Sequence, residues 1–221
     1  MVIMDMLNEL FEKKLVVIAR RIPLDKIEAC VKAVTEGGVR FIESTFDQSA
    51  PDCIEKNVKT IKKMIEAADG HAYVGAGTVL TVEQVRAAYE AGAKYIISPN
   101  TNEAVIKETL RLGMISIPGA MTPTEIEKAY TLGAQIVKLF PADDLGLHYI
   151  QNISAPLSHI PLMATGGVNP QTIPEYAEAG IKAFGTGITI LRRDLIDKSD
   201  FDGIKELAKE HVSAIKNIKG E

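Results

Sequence analysis

Two charged residues interrupt apolar runs in this sequence. Lys138 stands in IVKLFP, a stretch with the composition of a buried strand. Low dielectric penalises an unpaired ammonium, so such a lysine needs a reason to be there. Strand alternation puts Lys138 on the same side as Ile136 and Phe140. If that side faces an interior, the amine loses solvation and basicity, which is the condition for a Schiff-base nucleophile. A lysine that snorkels outward or pairs structurally with a carboxylate is the other outcome. Glu43, in RFIESTF, shares a strand face with Phe41 and Thr45. It reads either as a general acid/base or as the structural partner of a buried cation.

Smaller signals accompany these two. Thr78 closes GAGT, whose small residues let a ligand approach the backbone. ATGGV carries Gly166 and Gly167, and GTGI carries Gly185 and Gly187. Two late glycine-rich loops of this kind can receive a phosphate on backbone N–H groups. Arg20 and Arg21 follow a run of apolar residues; an arginine there can clamp a carboxylate or phosphate. The histidines, His71, His148, His159 and His211, fall in separate segments without metal-ligand spacing, so no metal site is expected. His211 lies in register with Ile204, Leu207 and Ile215 and reads as a packing residue.

The elements that must position these groups repeat. EGGVRFIE, EAGAKYII, RLGMISI, TLGAQIVKLF and EAGIKAFGTG each place a glycine between a helical pattern and a short apolar run. The glycines are Gly37 or Gly38, Gly92, Gly113, Gly133 and Gly180, where a helix ends in a left-handed residue. Ile27, Cys30, Val31 and Val34 recur at helical spacing, as do Ile54, Val58, Ile61 and Ile65. The apolar runs predict strands near 15–19, 39–46, 72–76, 94–98, 114–117, 135–140, 161–164 and 181–185. Each is followed by a helical pattern, the last near 201–218. Eight such units predict a single-domain (β/α)8 barrel over 1–221, in preference to a doubly wound open sheet. Residues 1–13 read as an extra helix, with Met6, Leu7, Leu10 and Phe11 as the side that plugs the barrel floor.

Composition narrows the partners. The 221 residues are 46% hydrophobic and 24% charged, with a formal net charge of -4, so neither nucleic acid nor a membrane surface is an expected partner. Cys30 and Cys53 form no framework and fit a reducing compartment. The N-terminal segment lacks the basic start and apolar run of a signal peptide, so a cytoplasmic location is expected.

In order, EGGVRFIESTF, VGAGTVLT, ISPN, IPGAMTPTE, VKLFPAD and ATGGV resemble the 2-keto-3-deoxy-6-phosphogluconate (KDPG) and 4-hydroxy-2-oxoglutarate (KHG) aldolase family over nearly the whole chain. The resemblance implies a homotrimeric (β/α)8 barrel without a cofactor or metal, a class I aldolase that splits a 2-keto acid into pyruvate and an aldehyde. It implies Lys138 as the Schiff-base lysine, Glu43 as the acid/base, Thr78 on the pyruvate portion, and the four loop glycines on the phosphate. Two positions depart from the family pattern. Asp47 stands where the family has an arginine that holds the substrate carboxylate, a contact that passes to Arg20, and Gly187 stands at the usual serine. The residues taken by themselves also fit a phosphosugar isomerase or epimerase, or a sugar-acid-binding relative without turnover.

Overall fold

The computed structural model describes residues 2–218; Met1 and residues 219–221, which the expected N-terminal helix and domain include, lie outside the described residues. The strands are β1 (Leu15–Ala19), β2 (Phe41–Thr45), β3 (Tyr73–Gly77), β4 (Tyr95–Ile97), β5 (Ile115–Ile117), β6 (Gly119–Ala120), β7 (Val137–Leu139), β8 (Leu162–Thr165) and β9 (Ala183–Thr186). Their order in the sheet is β5-β4-β3-β2-β1-β9-β8-β7-β6, and each of the paired neighbours runs parallel. The two edge strands are separated in sequence by Pro118 alone. Ser98 N donates to Ile117 O on one side, and Lys138 N to Pro118 O on the other. The nine segments are therefore eight barrel strands, the fifth interrupted at a proline that has no N–H to give the ladder. The expected strand at 114–117 is thus continued beyond the proline, and the eight-stranded barrel closes.

The helices are α1 (Val2–Lys13), α2 (Ile27–Glu36), α3 (Cys53–Ala68), α4 (Val82–Glu90), α5 (Glu103–Arg111), α6 (Pro123–Thr131), α7 (Ala142–Ser154), α8 (Thr172–Glu178), α9 (Arg193–Lys198) and α10 (Phe201–Lys216). The glycines that follow α2, α4, α5, α6 and α8 adopt positive φ at Gly38, Gly92, Gly113, Gly133 and Gly180. Of the first pair, Gly38 is the left-handed residue. Gly37 is needed for space, since a Cβ there would lie 2.5 Å from the Ala208 Cβ on α10. The IPGAMTPTE segment starts α6 with a capping box: Thr122 Oγ1 accepts from Glu125 N, Glu125 Oε2 accepts from Thr122 N, and Pro123 follows the cap.

Two apolar regions result from strand alternation. The outer one packs α2 and its neighbours against the sheet, with Val17, Ile42, Val137 and Leu139 pointing outward. The inner one fills the barrel with Val16, Phe41, Tyr95, Ile115, Ile136 and Met163. Met6 and Leu10 of α1 belong to this inner cluster, with Leu7 and Phe11 packed against it, so α1 forms the floor. The α3 stripe differs from expectation. Asn57, Ile61, Met64 and Ala68 are its buried residues, and Ile65 is exposed. Asn57 tolerates burial because Ser44 Oγ donates to its Oδ1. Helix α9 had no counterpart in the sequence pattern.

Candidate active site

Alternation fixes where the two charged interruptions go. Phe41 faces the barrel interior and Ile42 the outer layer, so Glu43 faces inward; Ile136 and Val137 do the same for Lys138. Glu43 is 3% exposed and Lys138 7%, each at the middle of its strand, β2 and β7. Burial lowers the Lys138 amine to about 8, with the Arg20 charge adding to that effect and the Glu43 charge opposing it. Burial raises the Glu43 carboxyl to about 7, against the opposing pull of Lys138 and Arg20. The two groups feel one another across the interior, and near neutrality neither is far from exchanging its proton. Lys138 Nζ also lies over the Phe140 ring, 4.6 Å from its centroid.

Glycines make room for this arrangement. A side chain at Gly77 would meet the Glu43 carboxyl at 2.5 Å. The Tyr95 ring covers Gly75 in the same way. Glu43 Oε2, the Tyr95 hydroxyl and Thr165 Oγ1 are buried without a hydrogen-bond partner among the described residues. Such groups are uncommon in folded proteins and concentrate where chemistry or ligands supply the partner.

Thr78 and Arg20 meet at the mouth. Arg20 Nη2 donates to Thr78 Oγ1 at 3.2 Å. Thr78 has a φ of 57°, a left-handed conformation that a β-branched residue rarely adopts. Gln48 Nε2 donates to the Thr78 carbonyl at 2.6 Å and holds this turn. Asp47 does not act on the interior: its carboxylate accepts from Arg21 at 3.3 Å and from Ser49 Oγ at 2.7 Å, and these contacts hold it in its ionised form. The arginine pair thus divides its work, Arg21 on Asp47 and Arg20 on Thr78.

The glycine-rich ends come together. Gly166, Gly167, Gly185 and Gly187 line one cavity of about 360 Å³ with Arg20 and Thr165. Phe140, whose ring lies against the Lys138 amine, lines it too, whereas Lys138 itself does not. A second cavity of about 240 Å³ holds Thr78, Gln48 and Asp47, and shares Arg20 with the first. Gly166 has a φ of 108°, and a side chain there would run into Asp143. A Cβ at Gly187 would collide with the Ile18 carbonyl, so no serine fits at this position on the present backbone.

Three residues of this region escaped the sequence reading, Thr165, Tyr95 and Asp143, and Phe140 was placed on the Lys138 face without a role. Thr165 carried a usable signal, a hydroxyl directly before the paired glycines of ATGGV. Among the described residues no group of three or more His, Cys, Asp or Glu could hold a metal ion. No helix among them is long and apolar enough to cross a membrane.

A closed parallel barrel with a buried, weakly basic lysine and a buried carboxyl both facing its interior has the equipment of an enzyme that activates carbonyl compounds as imines. The chain belongs to the KDPG and KHG aldolase family, whose model matches residues 6–207. It is 34% identical over 182 residues to a probable 2-dehydro-3-deoxy-6-phosphogalactonate aldolase of Rhizobium meliloti, covering 82% of this chain and 83% of the relative. It is 32% identical over 200 residues to the KHG/KDPG aldolase of Escherichia coli K12, covering 88% and 90%. A solved structure described as native KDPGal superposes with a TM-score of 0.82 at 32% identity, covering 92% of this chain and 95% of the other. Family members of this kind are carbon–carbon lyases, and the (β/α)8 fold is shared with them.

Proposed function

We propose that this chain is a class I aldolase that reversibly cleaves a 2-keto-3-deoxy-4-hydroxy acid to pyruvate and an aldehyde. The observation that carries the reading is the buried Lys138 amine, lowered in basicity, coupled to the buried Glu43 carboxyl. In this mechanism the free Lys138 amine adds to the C2 ketone, and the carbinolamine loses water to give a protonated imine. The C3–C4 bond breaks with its electron pair passing to C3 and into the imine as an enamine. Glu43, directly or through one water, takes the C4 hydroxyl proton as C4 becomes the aldehyde carbonyl. Glu43 then returns a proton to C3, and water hydrolyses the imine to release pyruvate and the amine.

Thr78 and Arg20, hydrogen-bonded to one another at the mouth, hold the pyruvoyl end, with Arg20 supplying the cation for its carboxylate. Gly166, Gly167, Gly185 and Gly187 receive a terminal phosphate in the cavity they share with Arg20. The first-choice substrate is 2-keto-3-deoxy-6-phosphogluconate, with 4-hydroxy-2-oxoglutarate and the phosphogalactonate epimer as comparators. The names of the relatives above support all three at similar identity. The working form is a cytoplasmic homotrimer of single-domain barrels, read from the family resemblance and measurable by light scattering after gel filtration.

The test is borohydride reduction in the presence of pyruvate, read by intact mass and peptide mapping. The expected product is a pyruvate-derived adduct on Lys138. No adduct, with pyruvate shown to bind, removes the imine mechanism; an adduct leaves an aldehyde panel to assign the substrate.

A further inference from the structure

His211 of α10 lies 1% exposed behind the wall of the glycine-lined cavity. Both ring nitrogens are engaged. Nδ1 is 2.7 Å from the Leu207 carbonyl, which can only accept, so Nδ1 carries the proton. Nε2 of the neutral ring is then the acceptor, and it lies 3.0 Å from Thr189 Oγ1, whose hydroxyl donates to it. Thr189 Oγ1 is in turn 2.7 Å from Thr186 Oγ1. Val168 O, in the loop after β8, is 3.1 Å from the Thr186 hydroxyl and 3.3 Å from that of Thr189. Burial favours the neutral ring on which this polarity depends.

A hydroxyl has one proton to give. With Thr189 committed to His211, Thr186 is left as the donor for Val168 O or for Thr189. The imidazole thereby sets the direction of the whole chain and ties α10 to both loops that line the cavity. Thr186, Thr189 and Val168 face that cavity, whereas His211 does not line it.

We infer that His211 is a positioning residue for anion capture: through Thr189 and Thr186 it locks the loop after β9 to the loop after β8, so that their backbone donors are set before a phosphate arrives. The inference rests on the proposed reading of these glycine loops as the phosphate site. Pre-set donors bind an anion without first bearing the cost of ordering, so loosening the lock weakens phosphate binding and leaves the imine chemistry alone.

The experiment compares cleavage of 2-keto-3-deoxy-6-phosphogluconate with cleavage of its unphosphorylated counterpart in wild type, His211→Asn and His211→Gln. Asparagine keeps the reach to Leu207 O and loses Thr189; glutamine presents its amide where Nε2 stood and keeps Thr189. His211→Asn is expected to raise KM for the phosphorylated substrate about tenfold, the size of one lost buried hydrogen bond. KM and kcat for the unphosphorylated substrate stay within about twofold, and His211→Gln restores most of the phosphate-dependent affinity. Thr189→Val, which removes the hydroxyl and keeps the shape, is expected to show the same selective KM rise and serves if His211→Asn fails to fold. A wild type that prefers the phosphorylated substrate, with variants that keep that preference or lose both substrates equally, overturns the role of His211 while the phosphate reading stands. A wild type with no preference overturns the phosphate reading itself, and this inference with it.

Discussion

The Glu43 carboxyl occupies the space that a side chain at Gly77 would need, with 2.5 Å between the Glu43 Cδ and an added Cβ. The two residues lie on adjacent strands, β2 and β3, and the glycine of GAGT is what lets the acid lie flat across its neighbour. Gly77→Ala therefore displaces the carboxyl from its position near Lys138. A shift of this order costs about 10²-fold in rate where a proton transfer depends on the geometry. Steady-state kcat of Gly77→Ala checks this, and a kcat within about threefold of wild type removes the claim that this contact sets the position of Glu43.

The coupled pair sets a pH profile. Imine formation needs the free amine, and Lys138 sits at about 8 rather than in the usual ammonium range. Initial rates of pyruvate-dependent borohydride trapping are expected to climb with pH and level off above about 8, where an ordinary lysine would still be climbing. Stability carries a second signature. Glu43 is raised from 4.5 to about 7 in the folded state. Between those values the folded protein holds a proton that the unfolded chain has released, so the contribution of this group falls as pH rises across that window. Thermal melts from pH 4.5 to 7 are expected to show a decline in wild type that Glu43→Gln lacks.

The two residues differ in what their loss removes. Lys138→Ala takes away the proposed nucleophile and its covalent route, so both trapping and turnover are expected to disappear. Glu43→Gln keeps the amine and the shape but not the proton acceptor, and general acid/base catalysis of this kind is worth about 10²–10⁴-fold. The expected result is slow turnover with adduct formation retained. Equal loss of trapping in both variants would assign Glu43 to holding the lysine rather than to proton transfer.

At Gly187 the backbone passes so close to β1 that an added Cβ meets the Ile18 carbonyl. Gly187→Ser is expected to destabilise this chain by about 1–3 kcal/mol, the usual range for overpacking. A thermal melt showing no loss for the serine variant means that the loop moves away at little cost.

The charged interruptions were legible because burial makes them expensive: a lysine between Val137 and Leu139 or a glutamate after Ile42 has to face something. The floor helix was legible for the opposite reason, an apolar side on Met6 and Leu10 with nothing nearby in sequence to cover it. What the pattern concealed depends on neighbours distant in the chain. The orientation of Asp47 follows from Arg21 on a different loop. The burial of Asn57 at the expense of Ile65 follows from a serine on β2. Tyr95 looks like an ordinary strand residue until the glycine opposite it, Gly75, is placed. His211 read correctly as a satisfied packing residue, but its partner Thr189 lies 22 positions away on a loop whose course is set by barrel closure.

The floor built by α1 gives the barrel one open end. Met6 and Leu10 close the far side, and the Lys138 amine lies against Phe140, which lines the glycine-lined cavity. In the proposed mechanism, cleavage leaves one fragment free and the other still bonded to the Lys138 amine. The aldehyde departs first because the pyruvate half is still covalently held, and with the floor closed both fragments share the one open end. Product-inhibition kinetics follow from that covalent order: pyruvate competes with the intact substrate for the empty amine, and the aldehyde inhibits noncompetitively by returning to the enamine.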